Sequence, residues 1–120
     1  MEKARCLLAF SDDSLMGNGM NRILSITPYV DVIAYTLESE SGLVDQIRAT
    51  APHIVILDGS SVKHDQGLIS RLLAQRDGLR VIVVSLDNNS LQVYDHQTVR
   101  VGQFSDFLSA IYSKTGPLND

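Results

Sequence analysis

The apolar positions of the chain alternate between two periods. CLLAF (6–10), VDVIAY (30–35), HIVILD (53–58) and RVIVVS (80–85) are short, β-rich and nearly continuous in apolarity, the pattern of strands buried on both faces of a parallel sheet. Between them the period lengthens. Met16, Met20, Ile23 and Leu24 recur at spacings of three and four, as do Leu43, Val44 and Ile47, and again Leu68, Ile69, Leu72 and Leu73, the spacing of one helix face. The order predicts β-α-β-α-β-α-β, an α/β chain folded as a doubly wound parallel sheet with helices on both sides in three layers. Pro28, Pro52 and Gly78 fall at the joins where helices should have stopped. Gly17 and Gly19 in MGNGM complete neither GxxxxGK nor GxGxxG, so they are read as loosening or delaying the first helix.

After Ser85 the pattern changes. The stretch LDNNSLQVYDHQTVRVG carries no helical period. DNNS is turn chemistry, Leu91 and Val93 alternate with polar residues, Asp95 to Gln97 can turn again, and Val99 and Val101 resume the alternation. The expected arrangement is an antiparallel meander of the fourth strand, LQVY and TVRV, with a β-hairpin where a fourth helix would otherwise stand. Residues 103–113 then read as a last helix, with Phe104, Phe107, Leu108 and Ile111 on its inner face and Ser105 as cap. Residues 1–114 are expected to form one domain and 115–120 a flexible tail or linker.

Composition narrows the function. A chain of 120 residues with 44% hydrophobic and 20% charged content is an ordinary globule rather than a coiled coil or a disordered segment. A net charge of −4 gives no electrostatic reason to bind nucleic acid. No stretch is apolar for the roughly 20 residues a membrane span needs, and none reads as a signal peptide, so a cytoplasmic address is expected. Cys6 is a lone cysteine in an apolar run, hence a small core residue rather than a redox group.

The candidate chemistry follows from topology. In a parallel sheet the C-terminal strand ends share one edge, and ligands bind there. Asp12 and Asp13 follow the first strand, Asp58 ends the third and Ser85 ends the fourth. Three carboxylates and a hydroxyl then converge on one pocket. Such oxygen-rich clusters hold Mg²⁺, and Mg²⁺ beside a carboxylate lets that carboxylate attack a phosphoryl group.

With LLAFSDDSL, APHIVILDG and VIVVS in this order, the chain resembles a response-regulator receiver domain across residues 4–85, and again in FSDFLSAIY. The resemblance implies a flavodoxin-like fold, Asp58 as phosphoacceptor, Asp12 as a metal-binding acid and Ser85 as the hydroxyl on the phosphoryl oxygen. Topology and resemblance together put Mg²⁺ among Asp12, Asp13 and Asp58, with Asp13 at the less constrained position, and the resemblance implies a histidine kinase or other signalling protein as partner; no enzymatic activity is expected. The departures carry as much information. Aligned without a gap, the family's acidic pair falls on Ser11 and Asp12. The family's Lys after the fifth strand is missing, since no Lys lies between Lys63 and Lys114, and Arg100 and His96 are the nearby bases. An arginine fork does not reproduce a compact ammonium on one phosphoryl oxygen. A receiver without its fourth helix and its Lys is expected to act as a pseudo-receiver, an interaction module whose added edge strand can pair with a second copy or another protein. The alternative is a working phosphoacceptor, with Arg100 or Lys63 standing in for the Lys.

Plainer roles stand beside these. Asp58 before Gly59 can accept loop N–H bonds, and Asp12, Asp13 and Ser14 can cap the first helix. His53 and His64 lack partners at ligand spacing, which favours surface or loop roles. A nucleotide or small-ligand module using the same edge lacks a glycine phosphate motif, and no Ser-His-Asp or Cys-His order supports hydrolysis.

Overall fold

The structure, a computed structural model, describes residues 4–10, 15–59, 67–85, 90–95 and 99–103. In chain order these form β1 (Ala4–Phe10), α1 (Leu15–Ser25), β2 (Val30–Thr36), α2 (Glu40–Thr50), β3 (Ile54–Asp58), α3 (Gly67–Leu73), β4 (Arg80–Ser85), β5 (Ser90–Tyr94) and β6 (Val99–Gln103). The strands make one six-stranded sheet in the order β2-β1-β3-β4-β5-β6. β1 to β4 run parallel. β5 and β6 return antiparallel, as the alternation after Ser85 predicts.

The pleat divides the core in two. Cys6, Leu8 and Phe10 of β1, Ile54 and Ile56 of β3, Ile82 and Val84 of β4, and Leu91 and Val93 of β5 pack with Met20 and Leu24 of α1. The intervening residues Leu7, Ala9, Val55, Leu57, Val81 and Val83 pack with Leu43 and Ile47 of α2 and with Leu68, Ile69 and Leu72 of α3. Side chains two apart share a face, so a continuous apolar run fills both layers. The chain is therefore α/β, with a mostly parallel sheet and helices on both faces.

Four sequence expectations are corrected. VDVIAY is only partly buried: β2 is an edge strand whose Val30 is buried, whose Val32 packs half-buried on one face and Ile33 and Tyr35 on the other, and whose Asp31, Ala34 and Thr36 are exposed. Ile23 lies outside the core at 41% exposure, because the inner face of α1 is centred on Met20, Leu24 and Gly17, and roughly 100° per residue carries Ile23 to its flank. Gly17 and Gly19 do not delay α1, which runs through both. Gly17 is instead buried against Phe10, where a Cβ would lie 2.8 Å from the Phe10 Cβ. Gln103 belongs to β6 rather than to the last helix, because its pairing with Ser90 extends the ladder to the first residue of β5. Residues 104–120, which include the rest of that helix and the expected tail, lie outside the described residues.

Side chains close the ends of elements. Ser39 caps α2 by accepting the Gly42 N–H at 3.1 Å. At the other end Ala51 takes a left-handed conformation, and the Arg5 guanidinium donates to the carbonyls of Thr50 (2.9 Å) and Ala51 (3.1 Å). A cation on the last carbonyls satisfies their lone pairs and opposes the helix dipole. Arg80 is buried to 2% and meets Asp95 at 3.3 Å, so the pair ties the start of β4 to the end of β5.

Candidate functional site

β3 and β4 bring two of the predicted site residues to the same edge of the sheet. Asp58 ends β3 and is level with Val84, one residue before Ser85. Leu57 is level with Ala9, so Phe10 ends β1 beside Asp58. The Phe10 carbonyl accepts the Leu37 N–H at 2.9 Å and is thereby anchored to the chain leaving β2. Asp12 and Asp13, two and three residues beyond Phe10, lie outside the described residues, as do Lys63, His64 and His96.

The pleat sets how Asp58 and Ser85 can cooperate. Successive residues face opposite sides of a sheet, so Asp58 goes with Val84 on the α1 side and Ser85 with the α2 and α3 side. A ligand touching both must lie across the strand ends rather than on either face. Gly59 follows Asp58, and a Cβ built on it would clash with the Ser85 hydroxyl. Asp58, Gly59 and Ser85 are all partly buried.

On the far side Ser85 is paired with Ser90 across the antiparallel turn. Ser90 in turn pairs with Gln103. The strand-end row therefore runs Asp58, Ser85, Ser90, Gln103, one carboxylate followed by neutral polar residues. Arg100 is opposite Val93. Its backbone lies about 10 Å along β6 from Gln103, at a rise of roughly 3.3 Å per residue, toward the end of the sheet away from Ser85. That register weighs against Arg100 as a substitute for the missing Lys.

Of the three carboxylates expected to hold Mg²⁺, the described residues supply Asp58, and among the described residues no three His, Cys, Asp or Glu side chains gather as a metal group. The described residues therefore do not by themselves make a Mg²⁺ cage. Burial pushes the Cys6 thiol up to about 12, which keeps it protonated and unreactive at neutral pH. Burial also raises Tyr94, whose hydroxyl donates to Gln92 Oε1 at 3.0 Å.

The opposite edge holds a network that sequence reasoning missed. The Arg5 N–H donates to His53 Nδ1 at 2.9 Å, the His53 N–H donates to the Arg5 carbonyl, and the Arg80 N–H donates to the His53 carbonyl. His53 joins β1, β3 and β4 where the parallel strands begin, at the other end of β3 from Asp58. No spacing signals this role, because its partners are 48 and 27 positions away and meet it only through strand register. Among the described residues no helix is long and apolar enough to cross a membrane.

No family model, curated protein or solved structure matches this chain.

Proposed function

We infer that the chain is a divergent, receiver-like domain of doubly wound, flavodoxin-like architecture, acting in the cytoplasm as a pseudo-receiver: a protein-interaction module in a two-component-type signalling pathway. The sheet order β2-β1-β3-β4 and the placing of α1 opposite α2 and α3 support the fold reading. One observation carries the functional reading: Ser85, the hydroxyl position, is paired antiparallel with Ser90. A phosphoryl group changes a population only if it makes different contacts in two states. A hydroxyl residue paired with Ser90, and directly following Val84, which is paired with both β3 and β5, offers one state. Partners are then recognised by the surface, including β6, the last strand of the sheet among the described residues, where strand addition supplies affinity without phosphate.

The second reading, a working phosphoacceptor, is favoured by Asp58 and Ser85 sharing one edge. Intact mass after incubation with acetyl phosphate and Mg²⁺ separates the two. The pseudo-receiver reading expects no phosphoryl adduct on the wild-type chain. An adduct that Asp58→Asn abolishes would replace it with the second reading.

A further inference from the structure

Gly59 follows Asp58 directly, and its backbone does not require a glycine. The described glycine with positive φ is Gly78, and Gly59 takes a conformation open to any residue. What Gly59 lacks is room. A Cβ built there would overlap the Ser85 hydroxyl, and it would lie 3.3 Å from the Val84 carbonyl oxygen and 3.4 Å from the Ser85 Cβ. The contacts with the Val84 carbonyl and the Ser85 Cβ can be accommodated by shifts of a few tenths of an ångström, but the hydroxyl overlap cannot. Only rotation of the Ser85 side chain relieves it.

We propose that Gly59 is the positioning residue of the candidate site: by having no side chain, it leaves open the rotamer that places the Ser85 hydroxyl at the strand end, a rotamer that a Cβ at 59 would close. This rests on the reading above that the Asp58 edge is the functional one. The hydroxyl occupies the space a side chain at 59 would take, so a Cβ there excludes this rotamer before any ligand arrives. The backbone of Ser85 has little freedom to answer a clash, because β3 and β5 flank its strand. Any side chain at 59 therefore displaces the hydroxyl and leaves the sheet in place. The device accounts for a glycine at a position where the backbone accepts every residue.

The test is a cycle of four chains: wild type, Gly59→Ala, Ser85→Ala and the double variant. In the wild type, side-chain couplings of Ser85 measured by NMR are expected to report a single χ1 rotamer, and in Gly59→Ala a different one. A structural role without positioning would not move this readout. Thermal unfolding gives the second arm. Gly59→Ala is expected to lower the midpoint by about 3 °C in the wild-type background, the scale of one off-rotamer side chain in a domain of this size. In the Ser85→Ala background, where the hydroxyl is gone, the same change should shift it by less than about 1 °C. An unchanged Ser85 rotamer in Gly59→Ala, or equal losses in both backgrounds, overturns the proposal. Should Gly59→Ala fail to fold while the double variant folds, the rescue supports it; should both fail, the overlap lies with backbone and the proposal is overturned. None of these readouts requires Asp58 to be modified, so a phosphoryl adduct would overturn the pseudo-receiver reading and leave this result standing.

Discussion

Gly17 and Gly19 lie two residues apart on one helix and meet opposite surroundings. Gly17 touches Phe10, and nothing lies within 4 Å of a Cβ at Gly19. Helix propensity alone favours alanine at both by about 1 kcal/mol. Gly19→Ala should therefore stabilise by about 0.5–1 kcal/mol in urea unfolding, whereas Gly17→Ala should destabilise by about 1–2 kcal/mol as overpacking outweighs propensity. Equal effects at the two positions would show that α1 does not sit this close to β1. Asp95 gives a second case. It faces a guanidinium that is 2% exposed, and removing one partner of a buried pair strands the other charge. Asp95→Ala is expected to cost about 3 kcal/mol, measured by the same unfolding. By contrast Glu40 and Arg71 meet through two bonds of 2.6 and 2.8 Å while their side chains stay 37% and 47% exposed, so screening by solvent should hold the cost of Glu40→Ala to about 1 kcal/mol.

Titration belongs to the same scale. Cys6 ionises near 9.0 in an open chain and is pushed up to about 12 by burial, and Tyr94 is raised from 10.0 by the same cause. Both raised values mean that the folded chain holds a proton the unfolded chain releases. Their contribution to stability is complete below pH 9 and is lost as pH climbs from there toward 12. Urea midpoints should hold between pH 7 and 8.5 and fall between pH 9 and 11.5. A midpoint that rises over the alkaline range would contradict the burial of Cys6.

At the scale of elements, the four parallel strands and the meander are legible in the sequence because each carries its own period. CLLAF and HIVILD announce strands buried on two sides, and LQVY announces one with a single buried face, which is how Leu91 and Val93 lie. VDVIAY misleads because apolarity does not tell a central strand from an edge, a property of sheet order rather than of the segment. Arg80 is illegible for a related reason: a cation opening an apolar run reads as a solvated end, and Asp95 reaches it only once β4 and β5 have paired. The candidate site is half legible. Asp58 and Ser85 can be placed at strand ends from pattern alone, whereas the closeness of Gly59 to Ser85 depends on a register that no local signal encodes. Element ends also depend on distant groups. Arg5 on β1 holds the last carbonyls of α2, so Arg5→Ala should speed amide exchange in the last turn of α2 several-fold while leaving its first turn, capped by Ser39, unchanged.

At the scale of the whole molecule, the sheet joins two regimes. β2, β1, β3 and β4 form a parallel unit whose C-terminal edge carries Asp58 and Ser85, and β5 and β6 extend it antiparallel from Ser85 outward. In a parallel unit each strand needs a crossover, and the crossover loops are the movable parts of the ligand edge. A hairpin removes that freedom at the residue that would report on the site. The account's central claim is that Ser85 enters an antiparallel ladder that does not rearrange. Its most direct test is the pattern of cross-strand nuclear Overhauser contacts in the isotopically labelled chain, recorded alone and with beryllofluoride and Mg²⁺. The account predicts contacts between the backbones of Ser85 and Ser90, Val84 and Leu91, and Val93 and Arg100, the same in both conditions. Sequential helical contacts across residues 90–103, or loss of the Ser85–Ser90 contact when beryllofluoride is added, would contradict it.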